Sequence, residues 1–282
     1  MVAPISIEEK DLANQHLDRS ISFAMCGKID QAIEAAQKAV EIDPDFAQAF
    51  NKLGDYYLKK GQVSHAVDAY RKSIVINPDN ENSHFDLGRS LALLGNFDEA
   101  LTSLNKALDL NPVHGETYCH VGQIYMEKGD MESALTNLQQ ALKNDEDSLM
   151  ANYLFAIACQ KTGRENEATQ YFKKVIARYN SLAQMKSRFA EGFFYMGKCY
   201  FYLGDLANAL KSLEKAVEFD TEAVDYHYSF GMLYSDADAF HALAEVQNEL
   251  GNTADARENL KKAIELEPDN KKYQELKMKL GI

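Results

Sequence analysis

Residues 49–78 read AFNKLGDYYLKKGQVSHAVDAYRKSIVINP, and residues 83–112 read SHFDLGRSLALLGNFDEALTSLNKALDLNP. Laid 34 residues apart, the two stretches agree at their small and helix-breaking residues: Gly54 with Gly88, Gly61 with Gly95, Ala66 with Ala100 and Pro78 with Pro112. A fixed period of about 20–50 residues marks a stack of repeated structural units. Working outward, Ala32, Ala66, Ala100, Ala134 and Ala168 keep the same beat, and Ala209 and Ala256 follow at intervals of 41 and 47.

With the first repeat starting at Ala13, these alanines occupy position 20. Position 8 is small: Ser20, Gly54, Gly88, Gly122 and Ala156. Position 15 is glycine in each: Gly27, Gly61, Gly95, Gly129 and Gly163. Positions 4, 7, 8 and 11 share one helical face, and 20, 24 and 27 share another on a second helix. Small residues at 8 and 20 let the two helices approach closely. Glycine at 15 ends the first helix in the left-handed conformation. Asp30, Ser64, Asp98 and Asn166, at position 18, are the expected N-caps of the second helices. Pro44, Pro78 and Pro112, at position 32, stop them. Each repeat is therefore expected to be a helix–turn–helix hairpin.

This pattern resembles the tetratricopeptide repeat family over roughly residues 6–280. The resemblance implies an all-α fold, a right-handed α-α superhelix of about seven repeats with capping helical segments at both ends. The expected repeats are 13–46, 47–80, 81–114, 115–148, 149–182, 190–223 and 224–270, within a single domain 1–282. Ser6-Ile7-Glu8-Glu9 has capping-box form at the first helix. Residues 269–280 read as a closing helix with Tyr273, Leu276 and Leu280 inward.

The period slips twice. Residues 183–189 are inserted before the sixth repeat, and seven residues are about two helical turns. A first helix of that repeat lengthened by two turns is the expected result. About thirteen residues are added inside the seventh repeat, within 235–250. One long helix from Thr221 to Leu250 is the favoured reading, and a break near Ser235–Asp238 is the alternative. The second half, Phe240, Leu243, Ala244 and Gln247, also fits positions 4, 7, 8 and 11.

Thirty Lys and Arg against 43 Asp and Glu give a formal charge of −13. So acidic a surface repels phosphate backbones and anionic headgroups, which argues against nucleic acid and membrane as partners. The N-terminus lacks the basic and apolar regions of a secretory signal, and no apolar run suffices to span a bilayer, so a cytoplasmic location is expected. Four scattered cysteines suit reduced thiols better than a disulfide framework.

The family places its binding groove on the first helices, at positions 2, 5, 6, 9, 12 and 13. Carried over, this gives Gln48, Asn51, Lys52, Asp55 and Lys59, then Asn82, Phe85, Asp86 and Arg89, then Glu116, Cys119, His120, Gln123, Met126 and Glu127. These are mostly polar. The fifth repeat presents Met150, Tyr153, Leu154 and Ile157, and the sixth Phe194, Tyr195, Lys198, Phe201 and Tyr202. The sixth repeat already has Phe193, Met196 and Tyr200 at core positions, so its first helix is apolar nearly all round, as a doubly covered helix is. Two readings stand. The insertion, with Tyr226, Tyr228, Met232 and Tyr234, packs on these aromatics from within the chain; or they form a hot spot for an apolar helix or extended peptide.

The basic residues of the carboxylate clamp known in this family are not matched, since the relevant positions hold Leu17, Ile21, Lys52, Asn82 and Asp86, and one repeat on Asn51, Asp55, Asp86, Glu116 and His120. His114, Cys119 and His120 are poorly spaced for zinc. No phosphate loop, HExxH or nucleophile elbow occurs. The expectation is a non-catalytic scaffold or adaptor, without cofactor or metal, that binds a protein or peptide near repeats five to seven. The alternative is an accessory, chaperone-like subunit of an enzyme, secretion or cell-envelope assembly, or a scaffold that self-associates.

Overall fold

The computed structural model describes residues 5–185, 189–219, 227–229 and 232–281. Its contacts group the chain into two bodies, residues 1–128 and 129–282. The N-terminal body holds α1 (Ile7–Met25), α2 (Ile29–Ile42), α3 (Ala47–Lys59), α4 (Val63–Ile76), α5 (Glu81–Leu93), α6 (Phe97–Leu110) and α7 (Gly115–Glu127). The C-terminal body holds α8 (Met131–Asn144), α9 (Leu149–Lys161), α10 (Glu165–Ala183), α11 (Ala190–Tyr202) and α12 (Leu206–Phe219). Two short strands follow, β1 (His227–Ser229) and β2 (Met232–Tyr234), then α13 (Asp236–Glu249), α14 (Thr253–Leu266) and α15 (Lys271–Leu280).

The repeat positions do what their chemistry requires. The position-20 alanines are all buried, six of them with no exposure and Ala168 with 3%. A Cβ added to Gly88 would lie 2.6 Å from Leu104 Cγ and 3.0 Å from the Ala100 carbonyl oxygen, so only glycine lets α5 sit this close to α6. Gly61 has φ of 69°. There the Gln62 amide reaches the Tyr57 carbonyl at 2.9 Å and the Gly61 amide reaches Leu58 at 2.9 Å, which closes α3 as a Schellman turn.

The N-caps lie two residues earlier than the sequence suggests. They are position 16, at Lys28, Gln62, Asn96 and Arg164, because the left-handed glycine turns the chain straight into the next helix. Asp30 and Asp98 instead sit in the first turn, near the positive end of the helix dipole. Each also meets a lysine from the following repeat, Lys60 and Lys128 respectively. Position 4 has its own use. Its side chain bonds the carbonyl six residues upstream in His84 to Pro78 (2.8 Å), Tyr118 to Pro112 (3.2 Å) and Asn152 to Glu146 (2.9 Å).

At the N-terminus Ser6 and Glu9 form the expected reciprocal capping box, at 3.1 and 2.8 Å. At the other end Tyr273, Leu276 and Leu280 of α15 are buried.

Both slips resolve differently from the favoured readings, and the second does so by the alternative break near Ser235–Asp238. The residues inserted before the sixth repeat do not lengthen its first helix. α11 keeps 13 residues, whereas α10, the second helix of repeat five, runs to 19. Position 32 of that repeat is Asn180 rather than proline, so nothing blocks the helix there, and fully buried Tyr179 carries its apolar face onward.

The long helix of the seventh repeat is not formed either. Ser235 caps α13 in a box with Asp238, at 3.1 and 3.2 Å. Before it, β1 and β2 pair antiparallel, with His227 opposite Tyr234 and Ser229 opposite Met232. The extra residues thus precede α13 and do not lie within 235–250. Thr221, Val224, Tyr226, Phe230 and Gly231 lie outside the described residues. Helical periodicity misses a three-residue ribbon, because so short a strand has no alternation to count.

Candidate functional site

In the N-terminal body, α3 and α5 bring the predicted polar residues into one network. Lys52 Nζ donates to Asp55 Oδ2 at 2.7 Å, and Tyr70 Oη, from α4, donates to Asp55 Oδ1 at 2.9 Å. On α5, Arg89 Nη2 donates to Asp86 Oδ1 at 3.0 Å, and the guanidinium lies 5.6 Å from the centroid of the Phe85 ring. Asn51 Nδ2 donates to Ser83 Oγ at 3.2 Å. Asn82 is exposed at the edge.

Burial decides the protonation here. Asp86 and Arg89 are each 15% exposed. Desolvation pushes the Asp86 carboxyl up to about 7; Arg89 opposes that shift and the nearby Asp55 charge adds to it. For Lys52, partial burial pulls the pKa down, but the Asp55 charge and hydrogen bond outweigh it and the ammonium is favoured. Burial lowers the pKa of His120, whose ring centroid lies 5.5 Å from that of Phe85, with His114 at 4.9 Å from the same ring. Among the described residues no three His, Cys, Asp or Glu side chains converge as metal ligands.

In the C-terminal body most of the predicted apolar contact residues are core. Met150, Tyr153, Leu154, Phe194 and Tyr195 are 2–7% exposed. Tyr153 meets Tyr195 edge-on at 5.2 Å, and Tyr195 stacks on Tyr179 at 6.0 Å. Tyr234 of β2 stacks on Phe194 at 4.7 Å. These five residues therefore do not present a free surface. Tyr228 and Met232 fall on the strands, and their side chains are outside what the structure describes.

The half-buried remainder is Ile157, Lys198, Phe201 and Tyr202. Tyr202 stacks on buried Phe172 at 5.2 Å, and Lys198 Nζ lies 5.5 Å from the Phe194 ring centroid. Phe193, assigned to the core by its position, is instead only half-buried and packs on Phe219 at 5.7 Å.

Sequence reasoning missed one residue that shapes these faces. Tyr70 reads as a core residue at position 24, and its ring is fully buried, yet its hydroxyl holds Asp55 from below. Tyr234 is one of the insertion residues expected to pack on the sixth-repeat aromatics, and it does so on Phe194.

No described helix is long and apolar enough to cross a membrane. A family model described as "TPR repeat" matches residues 22–61 and 54–95. Two models described as "Tetratricopeptide repeat" match residues 82–112 and 190–223, and residues 115–148 and 237–270. Superkiller complex protein 3 of Mus musculus is 30% identical over 81 residues, which is 29% of this chain and 5% of the mouse protein. The chain thus spans only a small part of that relative.

A tetratricopeptide repeat protein from Parabacteroides merdae aligns with a TM-score of 0.68 at 20% identity, covering 96% of this chain and 98% of its own. A structure described as the APC/C hetero-tetramer Cut9–Hcn1 aligns with a TM-score of 0.67 at 18% identity, over 93% of this chain and 48% of that one. At these identities the likeness is one of fold.

Proposed function

The chain belongs to the tetratricopeptide repeat family, and we propose that it is a non-catalytic scaffold that holds a protein or peptide partner against its first helices. The observation that carries this reading is the row Lys198, Phe201 and Tyr202 on α11. These side chains remain partly open to solvent while the layer beneath them, Phe172, Phe194 and Tyr195, is buried. Aromatic rings held rigid from below and rimmed by a charge are typical anchors of a binding hot spot. Ile157 on α9 adds an apolar neighbour.

Asn51, Lys52, Asp55, Asn82 and Arg89 form the second contact face. Its charges are internally paired, so it offers hydrogen bonds and register rather than net attraction. The mouse relative and the Cut9–Hcn1 structure are both described by name as parts of complexes, which favours the adaptor reading over an enzyme. Three buried free cysteines suit a reducing compartment, and the reading sets the scaffold in the cytoplasm.

The test is affinity capture with mass spectrometry, comparing wild type with Phe201→Ser and Tyr202→Ser at matched thermal stability. Loss of the same partners from both variants supports the reading. Unchanged capture, or unfolding of both variants, sinks the contact assignment. An accessory-subunit role predicts capture of one stoichiometric assembly. Self-association predicts a mass that rises with concentration in light scattering.

A further inference from the structure

An apolar cluster and a polar junction hold α15 against α13 and α14. Tyr273, Leu276 and Leu280 share the cluster with Ala244, Leu260 and Ala263. In the junction, Tyr273 Oη donates to Asp238 Oδ1 at 2.9 Å. Ser235 Oγ and Asn270 Nδ2 donate to the two oxygens of Glu267 at 2.7 and 2.9 Å. One turn on from Asp238, the ring of His241 stacks on Tyr273, with centroids 4.8 Å apart and 30° between the planes. Tyr273 is fully buried and the His241 side chain is 12% exposed. A side chain that ordinarily titrates near neutrality thus sits inside the contact that docks a helix.

A proton on His241 finds no bonded counter-charge in this arrangement. Glu245 Oε2 is 3.7 Å from His241 Nδ1, beyond hydrogen-bond reach. Both oxygens of Asp238 are engaged, Oδ1 by Tyr273 and Oδ2 by the Ser235 amide at 3.1 Å. Two cations, Lys198 of α11 and Lys272 of α15, act on the imidazole from the neighbouring elements. Burial pulls the His241 pKa below its ordinary 6.5, the two lysines add to that, and the Glu245 and Asp238 charges oppose it without cancelling it.

We propose that His241 is a proton-sensitive latch on α15: when the imidazole takes a proton, the helix leaves α13 and the apolar surface beneath Tyr273, Leu276 and Leu280 opens to solvent. The direction follows from linkage. A group that holds its proton more weakly when docked than when freed favours the docked form at high pH, and that support is lost as pH falls. The latch is therefore closed above the ordinary value of 6.5 and loosens below it. The device needs no partner, so it stands or falls separately from the contact face assigned to α11.

Hydrogen exchange of the full chain, read by mass spectrometry and corrected for the intrinsic effect of pH, tests this between about pH 5 and pH 8. In wild type the amides of 271–280 should lose protection as pH falls, while those of α13 and α14 keep theirs. His241→Phe keeps a ring over Tyr273 and cannot titrate, so protection of α15 should stay level across the range. Lys198→Met removes one like charge. It should raise the titration midpoint of His241, read from its ring proton by NMR, a shift that a packing role alone would not produce.

If His241→Phe does not fold, His241→Gln serves in its place, because it too should hold α15 protection level. The proposal is overturned by constant α15 protection in wild type, by an equal loss in the folded variant, or by a wild-type midpoint at or above 6.5. A loss shared by α13 and α14 also overturns it, since that would be unfolding of the whole body and not release of one helix.

Discussion

Tyr234 of β2 lies nearly parallel to Phe194 of α11, with ring centroids 4.7 Å apart and 14° between the planes. The insertion thus covers the sixth repeat's first helix from inside the chain. Truncating a buried aromatic costs about 3–5 kcal/mol. Tyr234→Ala should therefore lower stability by about 3 kcal/mol in urea unfolding. It should also raise the binding of a hydrophobic dye, because Phe194 and Tyr195 lose their cover.

Asp86 makes stability depend on pH. Its carboxyl titrates at about 7 in the folded protein against the ordinary 3.8. Between those values the folded chain holds a proton that the unfolded chain has released. Stability should therefore fall as pH rises from about 4 to about 7 and level off above, by an amount of order a few kcal/mol. Urea midpoints measured across this range should show the slope in wild type and lose that part of it in Asp86→Asn. A rise in stability over the same interval assigned to Asp86 would contradict the buried-carboxyl account.

Gly88→Ala tests the close approach of α5 to α6. The added methyl would sit 2.6 Å from Leu104 Cγ and 3.0 Å from a backbone carbonyl. Overpacking of this kind costs about 1–3 kcal/mol, and the gain in helix propensity returns about 1 kcal/mol. The net expectation is a lower melting temperature. Pairing it with Leu104→Ala should recover less than full stability, since the Ala100 carbonyl still limits the space.

Ser235→Ala removes the capping box that begins α13. Its Oγ accepts from the Asp238 amide at 3.2 Å and donates to Glu267 at 2.7 Å. A lost N-cap costs about 1 kcal/mol. Hydrogen exchange should quicken at Asp238 and Ala239 before it does at the distant end of α13.

The hairpin stack was legible because its determinants are local and recur. A left-handed glycine, a small residue at the helix crossing and a buried alanine each have one use, and each returns at the same position. Asn51, Lys52, Asp55 and Arg89 follow from the first-helix positions that the family resemblance assigns to a groove, and the structure adds the hydrogen bonds Lys52–Asp55 and Arg89–Asp86. The titration of Asp86 was not legible, because it depends on how deeply neighbouring helices bury that carboxyl. Nor was the order of Phe193, Phe194 and Tyr195. Consecutive aromatics on a helix leave the buried side to be chosen by neighbours, and one of those neighbours, Tyr234, enters from a ribbon outside the period. The lengthened α10 was misassigned for a similar reason: a missing proline permits a helix to continue but does not say which helix takes the added residues.

The pairing of Tyr234 with Phe194 also limits how this chain can be edited. A stack in which each unit touches only its neighbours tolerates the removal or duplication of whole units. Repeats two and three, closed by the same glycine turn and the same proline stop, are interchangeable cassettes in that sense. The sixth is not. Excising 190–223 would strand Tyr234 without its stacking ring, so this repeat and the ribbon after it form one module that must be moved, grafted or deleted together.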